Sequence, residues 1–237
     1  MTIADRTRRL LLVRHGRVDF DARDFRRSPR GRQWDPPLGE VGREQAGQLA
    51  ARLELMDPPV GMYSSPFRRC VQTVEPFAGP AGVEPALEED LGEVFVGEWE
   101  GLSFEEIVSG DEELARRFRD QEAMFSMAPG GESGAELQAR VVAAVERILD
   151  RHHRGNILAV THGGVINAYI RSLLGIDHDM FFLPENTSVN TVLIEGDRRR
   201  VWFLNDVRHL TDPAVFVPPS GAAAAPVSPA DPRSGPD

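Results

Sequence analysis

Apolar positions along the 237-residue chain alternate between short continuous blocks and longer helical stripes. Arg9–Val13 and Asn156–Val160 are brief apolar runs closed by turn residues, and both read as buried strands. Val60–Tyr63 reads as another strand, leading through Ser64-Ser65-Pro66 into a helix whose first turn suits the proline. From about Glu40 to Met56, Val41, Ala46, Leu49, Ala50 and Leu53 recur at helical spacing. The stripe from about Gly134 to His152 is the clearest, built from Leu137, Val141, Val142, Val145, Ile148 and Leu149. Val165–Leu174 reads as a helix, and 103–108 and 111–125 as acidic helical patches. Val189–Glu195 and Arg200–Leu204 flank Gly196-Asp197, a hairpin signal. The stretch from Gly16 to about Pro37 carries no such period and reads as irregular. Strands alternating with helices predict an α/β sheet covered on both faces.

Residues 1–211 are read as one domain, long enough to bury roughly 70% of the extended chain's surface without a disulfide or metal. From Asp212 to Asp237 Pro, Ala, Ser and Gly dominate, a composition that cannot offset its ordering entropy, so a disordered tail is expected there. Within it, Phe216 and Val217 retain enough apolar surface to dock locally.

Charge changes the picture in two ways. The net charge of −10 argues against a general nucleic-acid or anionic-membrane binder. All 27 basic residues are Arg, which removes Schiff-base chemistry and the lysine of a P-loop or a kinase. The single cysteine, Cys70, excludes an internal disulfide framework and a Cys-rich zinc site. Neither a membrane-length apolar run nor a signal-peptide core is present, so a cytoplasmic location is expected.

The residues with chemical character sit at strand ends. Arg14-His15-Gly16 ends the first strand, where ligands of open α/β sheets bind. Arg offers a guanidinium fork for phosphate or carboxylate, His a nucleophilic nitrogen, and Gly a close backbone approach. Alone, such a tripeptide also suits a solvated loop. Thr161-His162-Gly163-Gly164 repeats the construction before a helix, whose first N–H groups attract phosphate. Ser65-Pro66-Phe67-Arg68-Arg69-Cys70 is a third strand-to-helix junction, in which one of the two Arg also reads as a plain solvated charge. In Leu91-Gly92-Glu93 and Gly97-Glu98-Trp99-Glu100-Gly101, carboxylates sit among apolar neighbours, a setting for a general acid and equally for an acidic loop. His152 and His153 are adjacent, so they do not share a helix face and make a poor metal pair.

Taken together, Leu12-Val13-Arg14-His15-Gly16, Ser65–Arg69, Leu91–Glu93 with Gly97–Gly101, and Thr161–Gly164 resemble the histidine phosphatase superfamily over about residues 9 to 210. Asp35–Leu38, Pro129–Ser133, Asn205-Asp206 and His209-Leu210 add subsidiary matches. The resemblance implies a phosphoglycerate-mutase-like three-layer α/β/α sandwich with a mostly parallel central sheet. It also implies that His15 attacks phosphorus and becomes a phosphohistidine. Arg14, Arg69 and His162 would hold the phosphoryl oxygens, with backbone N–H groups near Gly163. Glu93 would protonate the leaving alcohol and then activate water. No cofactor and no metal is implied, and the partner is a small-molecule phosphate ester; a homodimer stays open.

Relatives carry Glu or Gln and then Ser or Thr after the Arg-His-Gly, whereas this chain has Arg17 and Val18. Arg17, 23, 26, 27, 30 and 32 against Asp19, 21 and 24 give the segment a local net charge of +3. It reads either as a solvated loop or as one that overhangs the pocket, with Gly16 and Arg17 bordering the ester and the Arg cluster binding extra negative charge. The leading expectation is a metal-independent phosphomonoesterase. A phosphoglycerate-type mutase or a catalytically silent phosphate-binding member are the alternatives.

Overall fold

A computed structural model describes residues 8–119 and 124–210; the 212–237 segment with Phe216 and Val217, and part of the second acidic patch, lie outside the described residues. The central sheet contains six strands: β1 (Arg8–Arg14), β4 (Gly61–Ser64), β5 (Ala86–Leu87), β6 (Gly155–Thr161), β7 (Val189–Glu195) and β8 (Arg198–Asp206). Their order is β5-β4-β6-β1-β7-β8, parallel throughout except for β7, which runs against both of its neighbours.

The continuous apolar run of β1 follows from burial on both faces. Leu10 and Leu12 enter one core with Ile157 and Ala159 of β6, beneath helices α5 (Gly134–Asp150) and α6 (Gly163–Leu174). Leu11 and Val13 point the other way, with Leu158 and Val160, toward α1 (Glu40–Leu53) and α2 (Arg68–Ala78). Two helix pairs on opposite sheet faces make three layers. Two short helices, α3 (Phe104–Val108) and α4 (Glu112–Arg119), follow the Gly97–Trp99 turn.

Several boundaries shift for local reasons. Helix α6 starts at Gly163 rather than Val165, because both glycines join its first turn behind His162. Helix α2 starts at Arg68, so Pro66 precedes the helix instead of sitting in its first turn. Helix α5 opens on a reciprocal cap in which Ser133 Oγ accepts from Glu136 N–H and the Glu136 carboxylate accepts from Ser133 N–H. The largest difference lies in 16–37, which is not irregular. It holds a hairpin of β2 (Phe25–Ser28) and β3 (Gly31–Trp34), pairing Phe25 with Trp34. Its arginines interrupt the apolar alternation but pack: Arg32 lies over the Phe25 ring at 3.9 Å, and Arg26 pairs with Glu89 at 2.8 Å.

Parallel pairing aligns the carboxyl ends of three neighbouring strands. Arg14 of β1 stands opposite Thr161 of β6, and Val160 of β6 opposite Ser64 of β4. The loops carrying His15, Ser65 and His162 therefore leave the sheet side by side.

Candidate active site

Beyond those strand ends lies a cavity of about 380 Å³ whose wall includes Arg14, His15, Arg69, Glu93, Gly163 and Gly164. The His15 ring is buried, and its Nδ1 lies 2.8 Å from the Gly16 carbonyl oxygen. A carbonyl only accepts, so Nδ1 carries the hydrogen and Nε2 keeps the lone pair. Burial holds this imidazole well below the ordinary imidazole range, and the positive charges of Arg69 and Arg14 push the same way. His15 is thus neutral near pH 7, the form with a nucleophilic nitrogen.

His162 is fully buried and stands behind His15 rather than on the cavity wall, with ring centroids 5.2 Å apart. Its Nε2 shares a 2.8 Å hydrogen bond with Ser65 Oγ, and the Phe67 ring meets it edge-on. Burial, then Arg69 and His15, lower its pKa well below the usual value. Immediately after it, helix α6 presents its first-turn N–H groups, which have no partners within the helix.

The two guanidiniums are held differently. An outer nitrogen of Arg14 donates to the Pro184 carbonyl, while its buried Nε has no hydrogen-bond partner among the described residues. A buried donor without an acceptor is costly, and an anion in the cavity would satisfy it. Arg69 donates to the Trp34 carbonyl at 3.2 Å, stands 3.8 Å from the buried carboxylate of Asp35, and covers the Phe67 ring. Asp35 in turn accepts from Arg68 N–H, which anchors the start of α2.

Glu93 lies on the same wall. Its recessed position raises its carboxyl pKa, opposed by Arg69 and Arg14 and by the Val94 N–H bond, so it keeps its proton more readily than an exposed glutamate. A Cβ on Gly164 would stand 2.6 Å from Glu93 Oε1, so glycine at this position leaves room for the carboxylate. Gly163 faces no such limit, its nearest neighbour being Arg14 Nε at 3.7 Å.

Two bordering residues sit elsewhere than the sequence suggests. A Cβ on Gly16 would meet the Gly42 carbonyl oxygen at 2.7 Å, so its close approach is to helix α1, and its N–H donates to Thr73 Oγ1. Arg17 is not on the cavity wall; its N–H donates to Gln45 Oε1 and its carbonyl accepts from Gly39. Nor does the Arg cluster lean over the cavity. Arg30 reaches the Glu89 carbonyl and Asp90, Arg26 pairs with Glu89, and the segment contributes Val18, Phe20, Gln33 and Trp34 to the wall.

Residues 184–188 escape sequence reading altogether. Thr187 N–H donates to the carbonyls of Arg14 and His15, Asn186 Nδ2 donates to the His15 carbonyl, and the Ser188 carbonyl accepts from Arg14 N–H. Thr187 adopts φ 59°, a strained choice for a β-branched residue, and its hydroxyl is bonded to His209 Nε2 at 3.0 Å. The only advance signal is a polar run, Glu185–Ser188, placed just before a strand.

Comparison with known proteins identifies the arrangement. Residues 10–207 match the model of the histidine phosphatase superfamily (branch 1). The chain is 32% identical over 206 residues to phosphoglycerate mutase-like protein 4 of Arabidopsis thaliana, covering 86% of this chain and 87% of that one. It is 31% identical over 204 residues to the metal-independent phosphoserine phosphatase of the same plant, covering 85% and 83%. Among solved structures, Bacillus stearothermophilus YhfR superposes with a TM-score of 0.74 at 29% identity, covering 86% of this chain and 99% of that one.

Proposed function

This chain belongs to the histidine phosphatase superfamily and is a phosphoric monoester hydrolase; we propose that it works through a phosphohistidine on His15, with a small phosphorylated metabolite as substrate. The observation that carries this reading is the 2.8 Å contact between His15 Nδ1 and the Gly16 carbonyl oxygen. With Nδ1–H committed to the Gly16 carbonyl, Nε2 is the nitrogen with a lone pair, and the ring lies on a wall shared with Arg14, Arg69 and Glu93.

In the first step Nε2 of His15 attacks phosphorus, an N–P bond forms, and the P–O bond to the alcohol breaks. Arg14, Arg69 and the first N–H groups of α6 stabilise the charge on the phosphoryl oxygens. His162 backs the nucleophile and adds a polar edge held by Ser65. Glu93 gives its proton to the departing oxygen, which its raised pKa favours. In the second step Glu93 takes a proton from water, the water oxygen attacks phosphorus, the N–P bond breaks, and phosphate leaves. A mutase would return the group to its substrate from the same intermediate, so released phosphate separates the two.

The test is a rapid-quench trap with a ³²P-labelled ester in the presence of chelator. An acid-labile, base-stable label on His15 and phosphate in solution are expected, and His15→Ala should lose both, at least about 10⁴-fold in kcat. Full turnover by His15→Ala would overturn the reading.

A further inference from the structure

Away from the phosphoryl end, the cavity changes character. Its outer wall is formed by Phe20, Trp34, Trp99, Leu102, Phe125 and Leu183, drawn from five separate segments of the chain. Phe20, Leu102 and Leu183 are 61%, 45% and 50% exposed. Large apolar side chains gathered at one rim are costly in water and mark a surface that a ligand covers. The Phe20 and Trp34 rings stand 6.2 Å apart on one side of the opening, and Trp99 leans on Phe118 on another.

The charges on the wall point the same way. Among the described residues, the cations lining the cavity are Arg14 and Arg69, both at the phosphoryl end. The lining carboxylates are Glu93 and Glu100, and the two oxygens of Glu100 accept from the Trp34 and Val96 N–H groups, so it is part of the framework. A leaving group bearing a carboxylate would meet Glu93 and Glu100, and among the described residues no further guanidinium lines the cavity to pair with it, a desolvation cost without compensation.

We infer that the preferred substrates are phosphate monoesters of apolar, ring-bearing alcohols without a carboxylate, and that the rim side chains set this preference. The inference rests on the hydrolase reading above and narrows it. It separates this chain from relatives named for phosphoserine.

The experiment compares kcat/KM for 3-phenylpropyl phosphate, O-phosphoserine and phosphoethanolamine, with p-nitrophenyl phosphate as a general reporter of hydrolysis. The first three have aliphatic alcohols as leaving groups, so recognition rather than bond lability dominates their ranking. The phenylpropyl ester is expected to lead phosphoserine by about fifty-fold, the scale of burying one phenyl ring. Phosphoethanolamine, which keeps the ammonium and drops the carboxylate, should rank between the two, above phosphoserine and below the phenylpropyl ester. Trp99→Ala and, independently, Leu183→Arg should each shift the ratio at least about tenfold toward phosphoserine, the second by adding a cation at the rim. Equal or better turnover of phosphoserine or phosphoethanolamine overturns the inference while leaving the hydrolase standing. A preference untouched by both variants overturns it as well. Failure to release phosphate from all four esters would instead sink the hydrolase reading, and this inference with it.

Discussion

The two ends of the cavity solve opposite problems. At the inner end, polar and charged groups are recessed and tied to their surroundings: neutral His15 to Gly16, Arg69 to Trp34, and the carbonyls of Arg14 and His15 to the 186–187 loop. At the outer end, apolar side chains stand partly in water, and no hydrogen bond fixes Phe20, Leu102 or Leu183 through its side chain. Bond-making needs groups held to within a fraction of an ångström, whereas recognition of an apolar group needs area and tolerates adjustment. The molecule thus spends its rigidity where charge develops and leaves its selectivity to loops.

That division can be broken by experiment. Arg69→Met should lower kcat/KM by about 10³-fold, as loss of a charged transition-state donor does, and to the same degree for every ester. A loss that varied with the leaving group would blur the two ends. Glu93→Gln should act differently, costing about 10²-fold on aliphatic esters and far less on p-nitrophenyl phosphate, whose leaving group needs no proton. Gly164→Ala offers a gentler version, because its methyl must displace Glu93 Oε1. About a tenfold drop confined to aliphatic esters is expected, with an unchanged melting temperature.

The smallest effect concerns the scaffold behind the inner end. Burial and the nearby Arg52 lower the pKa of His209, bonded to Thr187, to about 4, so the fold favours the neutral ring. With its folded pKa below the ordinary 6.5, its contribution to stability is complete above about pH 6.5 and fades as pH falls toward 4. Denaturant midpoints for the native chain and His209→Gln should therefore converge through that window; a constant gap would show that His209 is not the titrating group.

The inner end was largely legible because strand-end motifs are local. Arg14-His15 and His162-Gly163 each follow a short apolar run, and a parallel sheet brings such ends together. The hairpin at 25–34 was not legible, since arginines interrupt its alternation and its stabilising partners, Glu89 and Asp90, lie about sixty residues away. The same distance hides why Arg26 and Arg30 are absent from the cavity wall: their charge is plain in the sequence, but the carboxylates they pair with are not adjacent. The 184–188 clamp acts mainly through backbone groups, which every residue possesses, so the polar run Glu185–Ser188 hints at a loop but not at what it holds. The apolar rim is scattered over five segments, each too short to show a pattern.

Strand β1 is the earliest element of the sheet, yet its neighbours β6 and β7 are separated from it by well over a hundred residues. During synthesis the nucleophile therefore emerges long before either flank exists, and β1 waits with both edges open until β6 and β7 have been made. Such long-range closure slows folding and exposes an apolar strand to aggregation in the interval. Ribosome-bound intermediates halted before residue 160 would carry His15, Arg69 and Glu93 but neither the sheet neighbours nor the 186–187 loop that hold the His15 backbone in place, so hydrolytic power arrives only after β7 has been made.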